Sequence, residues 1–222
     1  MLAGHFAVGL AAKRVVPRTS LGTLVLAVLL PDLFWCVFQF LQWEHAQLTN
    51  DREILMPVNF YDQPFSHSLL AVTSMALAFG LLYWAFRRSS WAALILACAV
   101  LSHWILDFIA HRQDLLLWPG TVKLGLGLWN SRPATVVVEF GLWAAGVTIY
   151  ATATKATSAI GKWGLWALAA VVCAMQYQVC FGAPPSRLSL INWGVASQAL
   201  LVVWAYVLDR HRAIPALAAT ST

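Results

Sequence analysis

Apolar residues fill long uninterrupted runs of this chain, and polar residues collect in short breaks between them. Runs near the ~20 residues that a helix needs to cross a bilayer fall at about 21–42, 65–86, 91–111, 134–154, 163–181 and 188–208. The breaks "RRSS", "KATSAIGK" and "GAPPSR" are charged or turn-forming. The pattern predicts an all-α, polytopic membrane helix bundle of about six spans, built as one domain over residues 1–222. A further apolar stretch, "MLAGHFAVGLAA", is too short to span at ~1.5 Å per residue. Two placements are open to it: an amphipathic helix in the interface, or a half-helix whose start reaches the bilayer midplane.

Charge sets the orientation. Lys13, Arg14, Arg18, Arg87, Arg88, Lys155, Lys162, Arg210 and Arg212 fall on one side of a six-span layout. Arg52, Arg112, Lys123, Arg132 and Arg187 fall on the other, with Glu44, Asp51, Glu53, Asp62 and Asp114. The first set is the larger, so the positive-inside rule puts both termini in the cytoplasm. Lys13 and Arg14 follow the first apolar stretch instead of preceding it, which is not the order of a secretory signal.

Composition agrees with a membrane class. Of 222 residues, 60% are hydrophobic and 10% charged, against ~25% charged in soluble domains, and the mean hydropathy is +0.71. The net charge of +5 forms no basic stripe, so no nucleic-acid partner is expected. Cys36, Cys98, Cys173 and Cys180 all lie in apolar runs and are expected as small buried hydrophobes. Tryptophans near span ends, such as Trp43, Trp118 and Trp129, are expected in an aromatic belt. His45 and His211 lie in loops, where solvation accounts for them.

The spans contain few ionisable residues: Asp32, His67, His103, Asp107, His111 and Glu139. A charge at the bilayer centre costs ~2.5–3.5 kcal/mol even on the lenient insertion scale, so such groups face the bundle interior and seek partners. In the layout above, four different helices bring them to one depth, in the outer leaflet. Asp32, after Pro31, lies one step deeper. Convergence at one depth points to a single site, with a structural ion-pair network and an ion pathway as the competing explanations.

"SHWILDFIAH" narrows the chemistry. Residues four apart on a helix are offset by about 40°, so His103, Asp107 and His111 share an arc of about 80°. Their rise of roughly 12 Å is too long for one ion on a straight helix. Either two metals bind, with Asp107 able to bridge, or the helix unwinds before His111. Imidazole nitrogen with carboxylate oxygen suits Zn²⁺ first, then Mn²⁺ or Fe²⁺.

Taken in order, "GHFAVGL", "LLPDLFW", "FSHSLL", "LSHWILDFIAHRQDLLLWPG" and "LGLWNS" resemble the bacterial membrane-bound metal-dependent hydrolases, the YdjM-like inner-membrane proteins. The resemblance runs to about Glu139 and leaves 140–222 as additional spans and tail. That family is similar in motif order to the zinc-dependent phospholipase C and nuclease superfamily, whose ligands run His, Asp, His, His-xxx-Asp, His, His-xxx-Glu. Carried over, the resemblance implies metal ligation by His5, Asp32, His67, His103, Asp107 and His111, with Asp107 a bridge and Glu139 a late ligand. It implies that His5 enters the membrane, and that the Met1 amine comes near a metal. Thr135 stands where the pattern has its last histidine.

The expected function is a zinc hydrolase of the inner membrane, with two ions, acting near the outer leaflet on a lipid or lipid-linked phosphoester. Whichever carboxylate is not used as a ligand, Glu139 or Asp32, would be the general base. Arg112, Lys123 and Arg132, on the Gly-rich segment after the third span, would receive an anionic group. The alternatives are a metal-ion or proton transporter using the same ligands, and a structural factor.

Overall fold

The computed structural model describes residues 1–48, 55, 58–183 and 187–215. Asp51, Arg52 and Glu53 of the charge layout lie outside the described residues. Helix α1 (Leu2–Val15) is the predicted half-helix. It is followed by α2 (Leu21–Phe40), α3 (Leu69–Arg87), α4 (Ser90–Ala110), α5 (Arg132–Ala153), α6 (Ala159–Phe181) and α7 (Arg187–Arg210). Helices α2 to α6 are each long and apolar enough to cross a membrane, with mean hydropathies between 1.5 and 2.1. The 24-residue α7 takes the place of the last predicted run.

The local chemistry of the span starts is uniform. Ser20, Ser68, Ser89, Ser131 and Ser158 cap α2 to α6, each side chain accepting the backbone N–H three residues on. A serine cap satisfies one of the donors that a helix start leaves orphaned. This chemistry corrects one boundary. The second span begins at Leu69, not 65, because Ser68 takes the cap while its hydroxyl also reaches back to the Pro64 carbonyl at 2.6 Å. His67 therefore sits in a turn just outside the helix.

Helix α1 runs through the middle of the bundle, packed against α5, α2 and α4. His5, Phe6, Ala7, Gly9 and Leu10 are all buried, and so is Lys13 near its far end. This burial does not fit the interfacial placement, since an interfacial helix would keep one face in solvent; α1 is a short helix held inside the bundle. The α1–α5 approach depends on Gly146, where an added Cβ would lie 2.6 Å from the Ala7 Cα. Helix α3 sits at the periphery, buried over only 17% of its apolar window, and Leu77, Leu81 and Phe86 project outward as lipid-facing side chains do.

Short antiparallel pairs finish the loops. Strand β1 (His45–Leu48) pairs β2 (Val58–Asp62) after α2, and β3 (Leu115–Leu116) pairs β4 (Lys123–Leu124) after α4. Strand β5 (Lys155–Ala156) pairs β6 (Arg212–Ala213), tying the segment after α7 to the α5–α6 connection. All four cysteines are free. Cys36 and Cys180 are buried as expected, whereas Cys98 is exposed, because its position on α4 points away from the bundle.

Candidate metal centre

Four segments deliver side chains to one point at the end of the bundle where α2 stops, α3 starts and α4 stops. Helix α1 contributes His5 from its first turns, α2 contributes Asp32, the turn before α3 contributes His67, and α4 contributes His103 and Asp107. His111 is the C-cap of α4, already extended at φ −67°, ψ 153°. The helix thus ends before His111, which removes the 12 Å obstacle and swings the ring back over Asp107.

Asp107 is the hub. Its Oδ2 lies 3.1 Å from His103 Nε2, 3.7 Å from His67 Nε2 and 3.8 Å from His111 Nε2. Its Oδ1 lies 3.1 Å from His5 Nε2 and 2.6 Å from the Met1 amine. Asp32 Oδ1 closes the Oδ2 side, 3.4 Å from His67 Nε2 and 3.6 Å from His103 Nε2. The His5 and His103 rings stack at 3.8 Å between centroids. Potential ligand atoms of His5, His103 and Asp107 form one compact group, and those of Asp32, His67 and His103 a second.

Hydrogen bonds on the far side of three rings fix which nitrogen faces inward. His103 Nδ1 meets the Val28 carbonyl at 2.7 Å. A carbonyl only accepts, so the proton is on Nδ1. Val28 is in the turn before Pro31, whose ring crowds the preceding backbone. His111 Nδ1 donates to Asp114 Oδ1 at 2.9 Å, and His67 Nδ1 meets Ser66 Oγ at 2.7 Å. Three Nε2 atoms thus turn toward two carboxylates, and His103 Nε2 is buried without a hydrogen-bond partner. Neutral imidazole lone pairs against carboxylate oxygens repel. Such an arrangement calls for positive charge between them, as protons or as a metal ion. Bonds of ~2.0–2.1 Å in a tetrahedral zinc site put neighbouring ligand atoms about 3.3 Å apart, and the nitrogen–oxygen separations of 3.1 to 3.8 Å bracket that value.

Exposure is uneven. His5, His67, His103, Asp107 and His111 are buried, while the Asp32 side chain is 27% exposed. Asp32 is therefore the edge by which the cluster reaches the outside.

The remaining predicted residues lie around this centre. Glu139 is buried on α5, where its Oε2 accepts from Gly4 N at 3.0 Å, at the start of α1. Buried Thr135 spends its hydroxyl on the carbonyls of Leu128 and Ser131. Lys123 Nζ donates to the Tyr61 carbonyl at 2.8 Å, and the Arg132 guanidinium lies over the Phe181 ring at 5.9 Å. Arg112 follows His111 directly, and its carbonyl accepts from Asp114 N at 2.7 Å. His45 pairs with Asp62 at 2.9 Å, and His211 Nδ1 meets Ser158 Oγ at 3.0 Å, so neither is merely solvated. Trp43 and Trp118 are exposed, as a belt requires, but Trp129 is buried, its ring 4.2 Å from that of His111.

Sequence reasoning missed the outer partners: Ser66, Glu44 and Asp114. Glu44, in the loop after α2, is fully buried. Burial pushes its carboxyl up from the ordinary range, while the Ser66 hydroxyl and the N–H groups of Ser66 and Phe65 pull it back.

The model of the family described as YdjM inner membrane protein matches residues 1–183. No curated protein and no solved structure matches the chain.

Proposed function

The chain belongs to the YdjM inner membrane protein family, and on that premise we propose that it is a membrane-embedded zinc hydrolase acting on lipid or lipid-linked phosphoesters. The observation that carries this reading is the donor set: three oriented Nε2 atoms and Asp32 on the Oδ2 side of Asp107, and His5 on its Oδ1 side. Mixed imidazole and carboxylate donors in a buried site suit Zn²⁺, with Mn²⁺ or Fe²⁺ next. His67, His103, His111 and Asp32 with Asp107 would hold one ion, and His5 with Asp107 a second. Bound zinc would supply Lewis acidity toward a phosphoryl oxygen and acidify water.

The chain's own residues do the rest. Asp32 is partly exposed and presents Oδ1 to His67 and His103, and we assign its other oxygen, Oδ2, the proton of the attacking water. Water then forms the new P–O bond, the P–O bond to the lipid alcohol breaks, and the proton passes to that leaving oxygen. Glu139, held by Gly4 N, fixes the start of α1 and with it His5. Arg112, Lys123 and Arg132 border this end of the bundle and offer charge to an anionic headgroup. The charge asymmetry of the loops supports an outer-side position for this end in the inner membrane, with the Lys13 end of α1 and the C-terminus on the cytoplasmic side. The Met1 amine, 2.6 Å from Asp107, then lies with the site and not in the cytoplasm.

The test is turnover of a phospholipid and lipid-linked phosphoester panel by detergent-purified protein. We expect hydrolysis that a chelator abolishes and that Asp107→Ala and Asp32→Asn both lose. Metal uptake into proteoliposomes without hydrolysis would replace the hydrolase with a carrier.

A further inference from the structure

Glu44 is a fully buried carboxylate that forms no ion pair among the described residues. Its Oε1 accepts the N–H groups of Phe65 at 2.7 Å and Ser66 at 2.8 Å, and its Oε2 accepts the Ser66 hydroxyl at 2.5 Å. Ser66 Oγ then lies 2.7 Å from His67 Nδ1, and His67 Nε2 faces Asp32 and Asp107.

With Glu44 ionised, the state that its three donors favour, the proton count along this chain has one solution. A hydroxyl carries a single proton, and an ionised carboxylate can only accept. Ser66 gives its proton to Glu44 and must therefore accept from His67, so His67 carries its proton on Nδ1. Its Nε2 lone pair is then directed into the cluster. Without the carboxylate, the Ser66 hydroxyl is free to rotate and donate to Nδ1. The opposite tautomer would follow, with the Nε2 proton aimed into the site and ligation blocked.

We propose that Glu44, acting through Ser66, is the positioning residue that holds His67 in its metal-binding tautomer. This rests on the metal reading above, but the tautomer itself does not. His67 is the ligand that most needs such a device. His103 is set by a backbone carbonyl within the bundle and His111 by a carboxylate three residues away, whereas His67 lies in a turn outside α3. Outer partners of ligating histidines tune affinity by 10–100-fold when removed.

The experiment uses the full chain in detergent with three substitutions: Ser66→Ala, Ser66→Thr and Glu44→Gln. Zinc affinity is read by competition with a chromophoric chelator, and the His67 tautomer by ¹⁵N NMR of histidine-labelled, metal-free protein, assigned by signal loss in His67→Ala. The expected result is Nδ1–H at His67 in the wild type and in Ser66→Thr. Ser66→Ala and Glu44→Gln should show Nε2–H or a mixture, with zinc affinity about 10–100-fold weaker. Thermal unfolding of the metal-free protein separates positioning from simple loop support. Lower melting with unchanged tautomer and unchanged affinity would overturn the proposal. A wild type that binds no zinc would sink the metal reading alone, and the tautomer data would still decide the role of Glu44.

Discussion

Both ends of this bundle bury ionisable side chains, but only one end closes its charges. At the end where α1 finishes, Lys13 Nζ donates to Asp209 Oδ2 at 2.9 Å and to the Thr19 carbonyl at 2.8 Å, and lies 2.7 Å from Asp209 Oδ1. Arg212 gives its donors to Thr154 Oγ1, the Thr154 carbonyl and the Gly161 carbonyl, and its guanidinium lies over the Tyr150 ring. Each cation meets acceptors, and the arrangement is finished by protein alone. At the other end the Met1 ammonium closes the Oδ1 side of Asp107 at 2.6 Å. On the Oδ2 side, however, the imidazole nitrogens of His67, His103 and His111 face Asp32 and Asp107 without a lysine, arginine or amine between them among the described residues. A structural ion pair is complete in itself, whereas the Oδ2 side of this cluster is left to be completed by protons or by a metal ion. That contrast separates a lock from a site more sharply than burial does, because both ends take charged groups out of solvent.

The contrast can be broken from either side. The largest effect is expected from Asp107→Ala, which removes both carboxylate oxygens at the hub. Stoichiometric metal binding should vanish in equilibrium dialysis, while the fold, monitored by circular dichroism, persists. Next comes Lys13→Met, which removes the cation from a half-buried Asp209 and leaves the Thr19 carbonyl without its donor. Breaking a partly buried pair in this way costs between the ~1 kcal/mol of an exposed pair and the ~3 kcal/mol of a buried one, so the detergent-solubilised protein should unfold earlier while its metal affinity stays unchanged. Equal loss of metal affinity would show the two ends to be coupled. Chelation of the wild type is expected to remove a comparable share: about 2.7 kcal/mol if zinc stood at a hundredfold its Kd. The same chelator should leave the melting of Asp107→Ala unmoved. The smallest of these effects belongs to Gly146→Ala. Its new methyl would crowd the Ala7 backbone and overpack the α1–α5 contact by about 1–3 kcal/mol. By shifting α1 it should weaken the His5 side of the site more than the His67 side, read as loss of the second metal equivalent before the first.

Much of this was legible in the sequence, for a physical reason. A charge inside an apolar run has no cheap alternative to facing the bundle interior, so Asp32, His103 and Asp107 announce themselves by residue type and depth. The half-helix can be posed as a question, and the burial of His5 answers it. Spacing alone leaves open how His111 joins the others, and the cap geometry shows that the helix stops before it. Legibility fails in the loops. Glu44 and Asp114 read as ordinary solvated acids, because nothing in a polar loop marks which carboxylate will fold under the membrane end. Trp129 fits a belt by position, yet packs on His111 because the segment after α4 folds back, with Gly127 N donating to the His111 carbonyl at 2.7 Å. Lys123 reads as a cation awaiting an anion. Its Nζ also meets the Tyr61 carbonyl of β2, a contact between two loops that no local pattern encodes.

The measurement closest to the central claim is the metal stoichiometry of the purified chain by inductively coupled plasma mass spectrometry, compared across three proteins. Asp107 as a bridge between two sides predicts two zinc equivalents in the wild type, one in His5→Ala and none in Asp107→Ala. A wild type without bound metal, or one whose metal content His5→Ala and Asp107→Ala leave untouched, would contradict it.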